Sequence, residues 1–396
     1  MGKPNHLVPM SSPDLSDADR QAVFEVLHTN YLSMGPKIES FEKAVADYAG
    51  VKYALGVNSG TAGLHLCVRA ADIKPGDYVI TTPFSFVSST NVLLFENIIP
   101  VFVDVDPKTG NIDPIKVRQA AADLESGEEF KINKWLPRKG DIESGKLKGI
   151  LAVDVFGQPA NYGMLEKIAQ DHKLVLIEDS CEAIGAEYAH QKTGSFGDYG
   201  VFAFYPNKQM TTGEGGMVVT NNSQAADLMR ALRNQGRAPG DNWLQHTHLG
   251  YNYRLDEMSA ALGLSQMQRI DDLITKREIV AQWYNTYLKE IDGIEIPYIS
   301  PDTTRMSWFV YVIRIDLRYN RDRTAERLEA AGIPVRPYFL PIHLQPYMVD
   351  RFGFENGDFP ITEDLGKRSL ALPFSGVMTE EQVKLVCAKL EKCLCA

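Results

Sequence analysis

The sequence has no long hydrophobic run, and none of its 396 residues belongs to a stretch of roughly 18 apolar residues. A helix needs about that length of mainly apolar chain to cross a bilayer, so no membrane span is expected. Residues 1–20 are polar, contain three prolines and lack the apolar core of a signal peptide. These features predict a soluble, cytoplasmic protein that has no membrane partner.

Cysteine is scarce, at five residues, and its odd count in so long a chain does not suggest a disulfide framework. Cys393 and Cys395 form a C-x-C pair, but no His or Cys pair accompanies them in the sequence, so no metal site is expected. Basic residues are outnumbered, and the formal net charge is −10. Nucleic acids favour basic surfaces, so a nucleic acid partner is not expected.

Short apolar runs alternate with helical patterns as far as about residue 220. Several runs are apolar throughout, which is typical of parallel strands that are covered by helices on both faces. The pattern therefore predicts an α/β domain over residues 1–250, with a mostly parallel sheet and helices on both of its faces. Its seven predicted strands are Tyr53–Val57, Tyr78–Thr82, Ile98–Val103, Ile150–Val155, Leu174–Glu178, Val201–Phe204 and Met217–Thr220.

The pattern changes after residue 250, and residues 251–396 predict a smaller α+β domain. It would begin with one long helix, Asp256–Ile279, with Asp256 as the N-cap. The strand Trp308–Ile315 and the helices Arg323–Ala331 and Thr379–Leu394 would follow. In the first domain, the charged segment Glu125–Lys148 predicts an inserted surface loop, with a lid over a substrate as the alternative.

The segment Asn58–Ala62 follows the first predicted strand directly and opens a helix. Gly60 permits close approach of the backbone, and a helix N-terminus offers unpaired N–H groups and a positive dipole end. Thr61 adds a hydroxyl group. The segment is therefore a candidate phosphate site, although Ser-Gly-Thr is also an ordinary way to start a helix.

Two more polar residues follow predicted strands. Asp179 could pair with a protonated pyridine nitrogen or act as a helix N-cap. Lys208 lies in a polar turn, where a lysine is either solvated or, if desolvated, able to bond covalently to a carbonyl cofactor and to move protons. Since ligands bind at the carboxyl ends of parallel strands, the three features together predict a site for pyridoxal 5'-phosphate (PLP).

Taken in order, these motifs resemble the DegT/DnrJ/EryC1/StrS family of sugar aminotransferases, and the resemblance covers almost the entire chain. It implies the aspartate-aminotransferase-like fold, which is fold type I of PLP enzymes. The segments that carry it are 31–41, 58–62, 83–86, 156–160, 178–180, 194–216, 250–254 and 341–343.

For the cofactor, the resemblance implies that Lys208 is the covalent anchor and proton carrier, and that Asp179 pairs with the pyridine nitrogen. Phe86 would stack on the ring, with a core aromatic as the alternative. Gln158 would lie near the phenolic oxygen, with a loop turn before Pro159 as the alternative. The phosphate would be held by Gly60, Thr61 and Ala62. Asn252 would reach the phosphate of a neighbouring subunit, which makes a homodimer the smallest active unit.

For the substrate, the resemblance implies that Arg254 lies near the sugar or the amino donor. Arg237 and His343 are candidates for the nucleotide diphosphate, and a structural role for each is equally open. The implied reaction moves an amino group, with glutamate as the donor, to a nucleotide-linked keto-sugar. The stretch Asn207–Gly216 looks more like that of members acting at C4 of 4-keto-6-deoxy sugars than at C3.

Two positions depart from the pattern of many members. Ala203 stands where many have Ser, and Glu182 stands where many have Gln or His. Relatives that dehydrate sugars have His at the position of Lys208, so the lysine favours amino transfer. Two alternatives stay open: an aminotransferase for cyclitol ketones such as scyllo-inosose, and a PLP-binding regulatory protein without turnover.

Overall fold

The computed structural model describes residues 6–140 and 145–395. Its strands are β1 (Tyr53–Val57), β2 (Tyr78–Thr81), β3 (Ile99–Phe102), β4 (Leu147–Val153), β5 (Val175–Asp179), β6 (Glu187–Tyr188), β7 (Gln191–Lys192), β8 (Tyr199–Ala203), β9 (Gly216–Thr220), β10 (Ile294–Glu295), β11 (Thr303–Arg305), β12 (Tyr311–Ile315), β13 (Arg336–Pro337) and β14 (Ser369–Leu372).

The α-helices are α1 (Asp17–Leu27), α2 (Pro36–Ala49), α3 (Gly60–Ala70), α4 (Ser88–Phe95), α5 (Pro114–Glu125), α6 (Glu129–Asn133), α7 (Tyr162–His172), α8 (Ser223–Arg233), α9 (Glu257–Met267), α10 (Ile270–Leu288), α11 (Arg321–Ala330), α12 (Pro346–Phe352), α13 (Pro360–Arg368) and α14 (Glu380–Cys395). None of the helices within the described ranges is both long and apolar enough to cross a membrane.

The central sheet has seven strands in the order β1-β9-β8-β5-β4-β2-β3. Neighbours from β8 to β3 pair in parallel, and β9 pairs antiparallel with both β1 and β8. Six strands therefore run in one direction, and their carboxyl ends meet at one edge. The predicted mostly parallel, seven-stranded sheet is confirmed.

Alternate residues of the central strands enter two different hydrophobic cores. Leu151 and Ile177 pack with α3 and α8, whereas Ile150 and Leu176 pack with α5 and α7. Successive side chains of a strand point to opposite faces, so helices cover both faces of the sheet. Because neither face of the sheet meets solvent, the strands are apolar throughout and do not alternate between apolar and polar residues.

A second, four-stranded antiparallel sheet lies in the C-terminal part, in the order β10-β12-β14-β13. Its core joins α10, α11 and α14 to the strands through residues such as Tyr284, Tyr311 and Val386. Val8, from the N-terminal segment, packs into the same core, and Leu7 donates its N–H to the carbonyl of Gly332. The division of the chain near residue 250 stays a prediction.

The single helix predicted over Asp256–Ile279 is wrong, because the chain forms two helices, α9 and α10, in this region. Arg269 lies between them with a non-helical backbone (φ −128°, ψ 22°). Its guanidinium donates to Asp14 and Asp19 near the N-terminus. The break thus coincides with long-range ion pairs, which the periodicity of the local sequence cannot indicate. The predicted N-cap is confirmed, since Asp256 accepts the N–H of Ser259 at 2.9 Å.

The described part of the insertion, 125–140 and 145–148, contains the short helix α6 and packs against the C-terminal part of the chain. Arg138 donates two hydrogen bonds to the carboxylate of Asp358, at 2.7 and 2.6 Å. Lys139 donates its N–H to the carbonyl of Phe352. Residues 141–144 lie outside the described ranges.

Candidate active site

A cleft of about 510 Å³ opens at the edge where the parallel strands end. It brings together five residues that the sequence singled out as cofactor contacts. Its walls are formed by Ser59, Gly60, Thr61, Ser85, Phe86, Ser88, Val153, Asp179, Cys181, Glu182, Ala203, Tyr205, Asn207, Lys208, Glu214, Gly215, Phe309, Tyr338 and Phe339. The residues come from the ends of several strands, because the parallel topology places those ends side by side.

Lys208 follows β8 in a turn closed by its own N–H, which donates to the carbonyl of Tyr205 at 2.9 Å. Its side chain is only 13% exposed, which excludes the solvated alternative. The Nζ atom lies 3.7 Å from Oε1 of Glu182 and 3.7 Å from the centroid of the Phe309 ring. The amine is therefore held at the cleft between a carboxylate and an aromatic face.

Arg277 of α10 holds this turn, and local sequence signals gave no hint of it. The guanidinium is buried and donates to the carbonyls of Asn207 and Lys208 at 3.1 and 2.6 Å. It also donates to the carbonyls of Trp308 and Phe309 at 3.1 and 3.0 Å. One side chain thus links the lysine turn to the segment carrying the aromatic ring beneath Nζ. Burial lowers the pKa of Arg277 to about 10.

Asp179 is the last residue of β5, and its carboxylate faces the cleft. Its Oδ2 accepts from the hydroxyl of Ser89 at 2.6 Å, and its Oδ1 accepts from the N–H of Cys181 at 3.3 Å. A turn follows it in place of a helix, so the N-cap alternative is excluded. Ser89, on α4, is a contact that the sequence alone did not reveal.

The neighbouring acid, Glu178, points away from the cleft because side chains alternate along a strand. Its buried carboxylate accepts the N–H groups of Gly194, Phe196 and Gly197, each at 2.7 Å. Burial raises the pKa of Glu178 to about 8. Of the two adjacent acids, one therefore anchors a loop and the other faces the cleft.

The helix α3 begins at Gly60, and Ser59 caps it by accepting the N–H of Ala62 at 3.1 Å. Ala62 is therefore already bonded and does not line the cleft, whereas Gly60 and Thr61 present the positive end of the helix to it. A Cβ at position 60 would lie 2.8 Å from both Cβ of Ala203 and Sγ of Cys181. Glycine is needed there because those side chains occupy the space.

Phe86 follows β2 and exposes 61% of its surface at the cleft, so the core-aromatic alternative is excluded. The same cleft contains a buried amide oxygen, Oδ1 of Asn207, which has no hydrogen-bond partner within the described residues. An open aromatic face, a lysine, a carboxylate, an unpaired buried amide and a helix N-terminus suit an aromatic cofactor that bears a phosphate and a basic ring nitrogen. PLP fits this set of donors.

The model of the DegT/DnrJ/EryC1/StrS aminotransferase family matches residues 13–391. The chain belongs to this family. It is 35% identical over 391 residues to GDP-perosamine synthase of Caulobacter vibrioides, covering 98% of each chain. It is 34% identical over 394 residues to the spore coat polysaccharide biosynthesis protein SpsC of Bacillus subtilis, covering 96% of this chain and 95% of the relative.

Among solved structures, the chain is similar to PseC of Helicobacter pylori, an aminotransferase involved in the biosynthesis of pseudoaminic acid. The TM-score is 0.86 at 29% identity, with 98% of this chain and 99% of the other covered. The family member described here is accordingly a PLP-dependent sugar aminotransferase of fold type I.

The structure does not support the expected place of Gln158, which lies outside the cleft. Its side-chain amide donates to the carbonyl of Tyr298 at 3.1 Å and accepts the N–H of Ser300 at 2.6 Å. A positive φ of 60° at Phe156 turns the chain just before it. The amide therefore fastens the 298–300 segment, and Glu182 occupies the cleft wall near the lysine.

The structure does not support His343 as a nucleotide contact, because its side chain is fully buried. Its Nε2 bonds to Glu363 at 3.1 Å, and its ring packs edge-on against Phe359. The structural alternative is the correct one for this residue. Arg237 lies outside the cleft, where its guanidinium stacks on Trp243 at 4.7 Å from the ring centroid.

Asn252 and Arg254 do not line the cleft of their own chain either. Asn252 is exposed, and its carbonyl accepts the side-chain amide of Asn58 at 3.2 Å. Arg254 donates to Oδ1 of Asn234 at 3.0 Å. In the segment that carries both residues, Arg254 pairs with Val57 at the end of β1 and Asn252 pairs with Asn234. The segment therefore runs beside β1 without contributing to the walls of the cleft.

Proposed function

We propose that this chain transfers an amino group from glutamate to the ketone of a nucleotide-linked sugar, with C4 of a 4-keto-6-deoxy sugar as the favoured position. The supporting observation is the joint placement of Lys208, Asp179 and the N-terminus of α3 around one cleft. The choice of C4 rests on the likeness of the Asn207–Gly216 stretch to that of members acting at C4 alone. The nucleotide-linked sugar is supported by the likeness to GDP-perosamine synthases.

In this proposal each group has one task. The first two N–H groups of α3 hold the phosphate, Asp179 holds the ring nitrogen in its protonated form, and Phe86 covers a ring face. The bound cofactor supplies an electron sink that stabilises negative charge at the reacting carbon. Lys208 anchors the cofactor and carries a proton at Nζ to and from that carbon.

We propose further that two copies of the chain share their active sites. Asn252 is exposed and does not line its own cleft, and the next residue, Tyr253, belongs to a partly buried network. His65 bonds to the hydroxyl of Tyr253 at 3.0 Å and to Glu96 at 2.7 Å. An exposed polar residue beside exposed apolar residues, such as Leu249 at 82% exposure, suits a contact with a second copy.

The test uses purified protein loaded with PLP. We expect a visible absorbance band that is absent in Lys208→Ala and that is bleached by glutamate. Glutamate consumption is then measured with dTDP-, GDP- and UDP-linked keto-sugars and with scyllo-inosose. Consumption with scyllo-inosose alone would identify a cyclitol aminotransferase. A band that glutamate leaves unchanged would identify a PLP-binding protein without turnover.

A further inference from the structure

Glu182 is the acidic residue closest to the amine of Lys208 among the ion pairs of the described chain, and the reaction as proposed above gives it no task. It is 8% exposed and lines the cleft. Its Oε1 lies 3.7 Å from Nζ of Lys208. This distance is within the range of an ion pair but is longer than a hydrogen bond. A shift of less than about 1 Å in either side chain would bring the two atoms into hydrogen-bond contact.

The other end of the carboxylate is fixed. Oε2 of Glu182 accepts the N–H of Phe156 at 2.9 Å. The backbone at this position is fixed as well, because the carbonyl of Glu182 accepts from the side-chain amide of Gln209, the residue after Lys208, at 2.6 Å. The turn after β5 that carries Glu182 and the turn that carries Lys208 are therefore tied together, and Oε1 is left to face the amine.

A buried lysine must be able to exist without its proton if it is to attack a carbonyl group. The proton then needs an acceptor within reach, and solvent is a poor one for a side chain that is only 13% exposed. We propose that Glu182 is that acceptor, a positioning residue that pairs with Lys208 and exchanges a proton with it. In the exchange an N–H bond of Nζ breaks and an O–H bond at Oε1 forms, with no other reactant.

Electrostatics support an easy exchange. Burial raises the pKa of the Glu182 carboxyl, and the charge of Lys208 opposes that rise. A raised carboxyl pKa brings the proton affinities of the acid and the amine closer together, which lowers the free-energy cost of the transfer.

The other groups around the pair have defined charges. Asp179 acts on Glu182 as a like charge. Burial raises the pKa of Cys181 well above its ordinary value and that of Tyr338 to about 12, so both are neutral at physiological pH. Glu214 also lines the cleft, but it is exposed and its charge is screened by solvent.

The inference rests on the proposed role of Lys208 and is tested first in the protein without cofactor. The pH dependence of Lys208 modification by formaldehyde and borohydride, followed by mass spectrometry, gives the pKa of the amine. Glu182→Gln keeps an acceptor for Phe156 but removes the negative charge. We expect it to lower the midpoint by about one to two pH units, a 10- to 100-fold change in proton affinity.

The PLP-loaded enzyme is titrated next. The visible band of the lysine-bound cofactor then reports the protonation of the lysine nitrogen. Glu182→Gln should lower that midpoint in the same direction. Glu182→Asp should restore part of the shift, because it retains the charge on a shorter arm. The matched control is Glu214→Gln, which removes an exposed charge from the same cleft and should move either midpoint by less than about 0.3 units.

A midpoint that Glu182→Gln leaves in place, in a protein whose band still depends on Lys208, would overturn this inference while the proposed function stands. Equal shifts in Glu182→Gln and Glu214→Gln would overturn it too, since a general field effect would then suffice. A wild-type band that persists in Lys208→Ala would instead contradict the proposed function. If Glu182→Gln fails to fold, Glu182→Ala, which also removes the charge, is titrated in its place, and an unchanged midpoint in that variant counts against the pairing.

Discussion

The hydroxyl of Ser89 donates a 2.6 Å hydrogen bond to Oδ2 of Asp179, across the gap between α4 and the end of β5. This bond fixes the direction of a carboxylate whose Oδ1 accepts the N–H of Cys181 at 3.3 Å. A hydrogen bond to a charged group contributes about 1.5–3 kcal/mol. The orientation of the acid in the cleft therefore depends on a residue 90 positions away in the chain.

We expect Ser89→Ala to weaken PLP binding and to slow amino transfer by roughly 10-fold each, because Asp179 loses its better-placed donor. The measurements are the PLP dissociation constant and the single-turnover rate with glutamate. The control is Thr90→Val, since the Thr90 hydroxyl is buried beside Ser89 without a partner among the described residues. Equal losses in both variants would show that packing of α4, and not the bond, is responsible.

Arg277→Met should lower the free energy of unfolding by about 3–5 kcal/mol, since four backbone carbonyls lose a buried cationic donor. The variant should also lose affinity for PLP, because the Lys208 turn is no longer held. Urea unfolding and PLP titration measure the two effects. The neighbouring Lys276→Met removes only half-exposed ion pairs and should cost less than about 1 kcal/mol.

The contribution of Asp154 to the stability of the protein should fall as the pH rises towards neutrality. Burial raises its pKa from 3.8 to about 7. The folded state thus binds this proton more tightly than the unfolded state, and the resulting stabilisation is present below the ordinary pKa and lost as pH rises through about 7. Asp154→Asn mimics the protonated acid.

Between pH 5 and pH 8, the unfolding free energy of Asp154→Asn should therefore improve relative to wild type by about 2 kcal/mol. Urea unfolding at several pH values measures the difference between the two proteins. Burial and the nearby Asp154 raise the pKa of Glu178 as well, so the measured difference includes the relief of Glu178 when the charge at position 154 is removed. A difference that is flat over this range would mean that Asp154 is ionised in the folded protein throughout.

Arg138→Ala should leave kcat and KM for the sugar within about two-fold of wild type. Its bonds fasten the insertion to Asp358, and none of the described residues of the insertion lines the cleft. An exposed ion pair of this kind stabilises a protein by about 1 kcal/mol or less. A KM raised by 10-fold or more would revive the lid alternative for Glu125–Lys148.

A mixture of two inactive variants should regain activity if Asn252 serves the neighbouring subunit. Lys208→Ala and Asn252→Asp are unfolded together, refolded and assayed for amino transfer. In a mixed dimer, one site would combine Lys208 of one chain with Asn252 of the other and would be intact. No recovery in mixtures shown to contain the mixed dimer would place Asn252 in the site of its own chain, or in none.

A prediction from the sequence succeeded where the physical cause of the feature lies in neighbouring residues of the chain. The strands β1, β5 and β9 fall close to their predicted bounds because fully apolar runs between turns have few other uses. The start of the last helix, predicted at Thr379, also has a local cause, because Thr379 and Gln382 exchange hydrogen bonds at 3.0 and 3.3 Å. The break at Arg269 was missed because its partners lie about 250 residues earlier.

The sequence by itself determined the parallel sheet, the cap at Ser59 and the polar residues at the strand ends, because these follow from local periodicity and from backbone hydrogen bonding. Tertiary structure alone decided which of those residues share a cleft. It buried His343 beside Glu363, turned Gln158 towards residues 298–300 and brought Arg277 beneath Lys208. It also placed Glu182 beside the amine, since side-chain direction and long-range pairing depend on how separate elements pack.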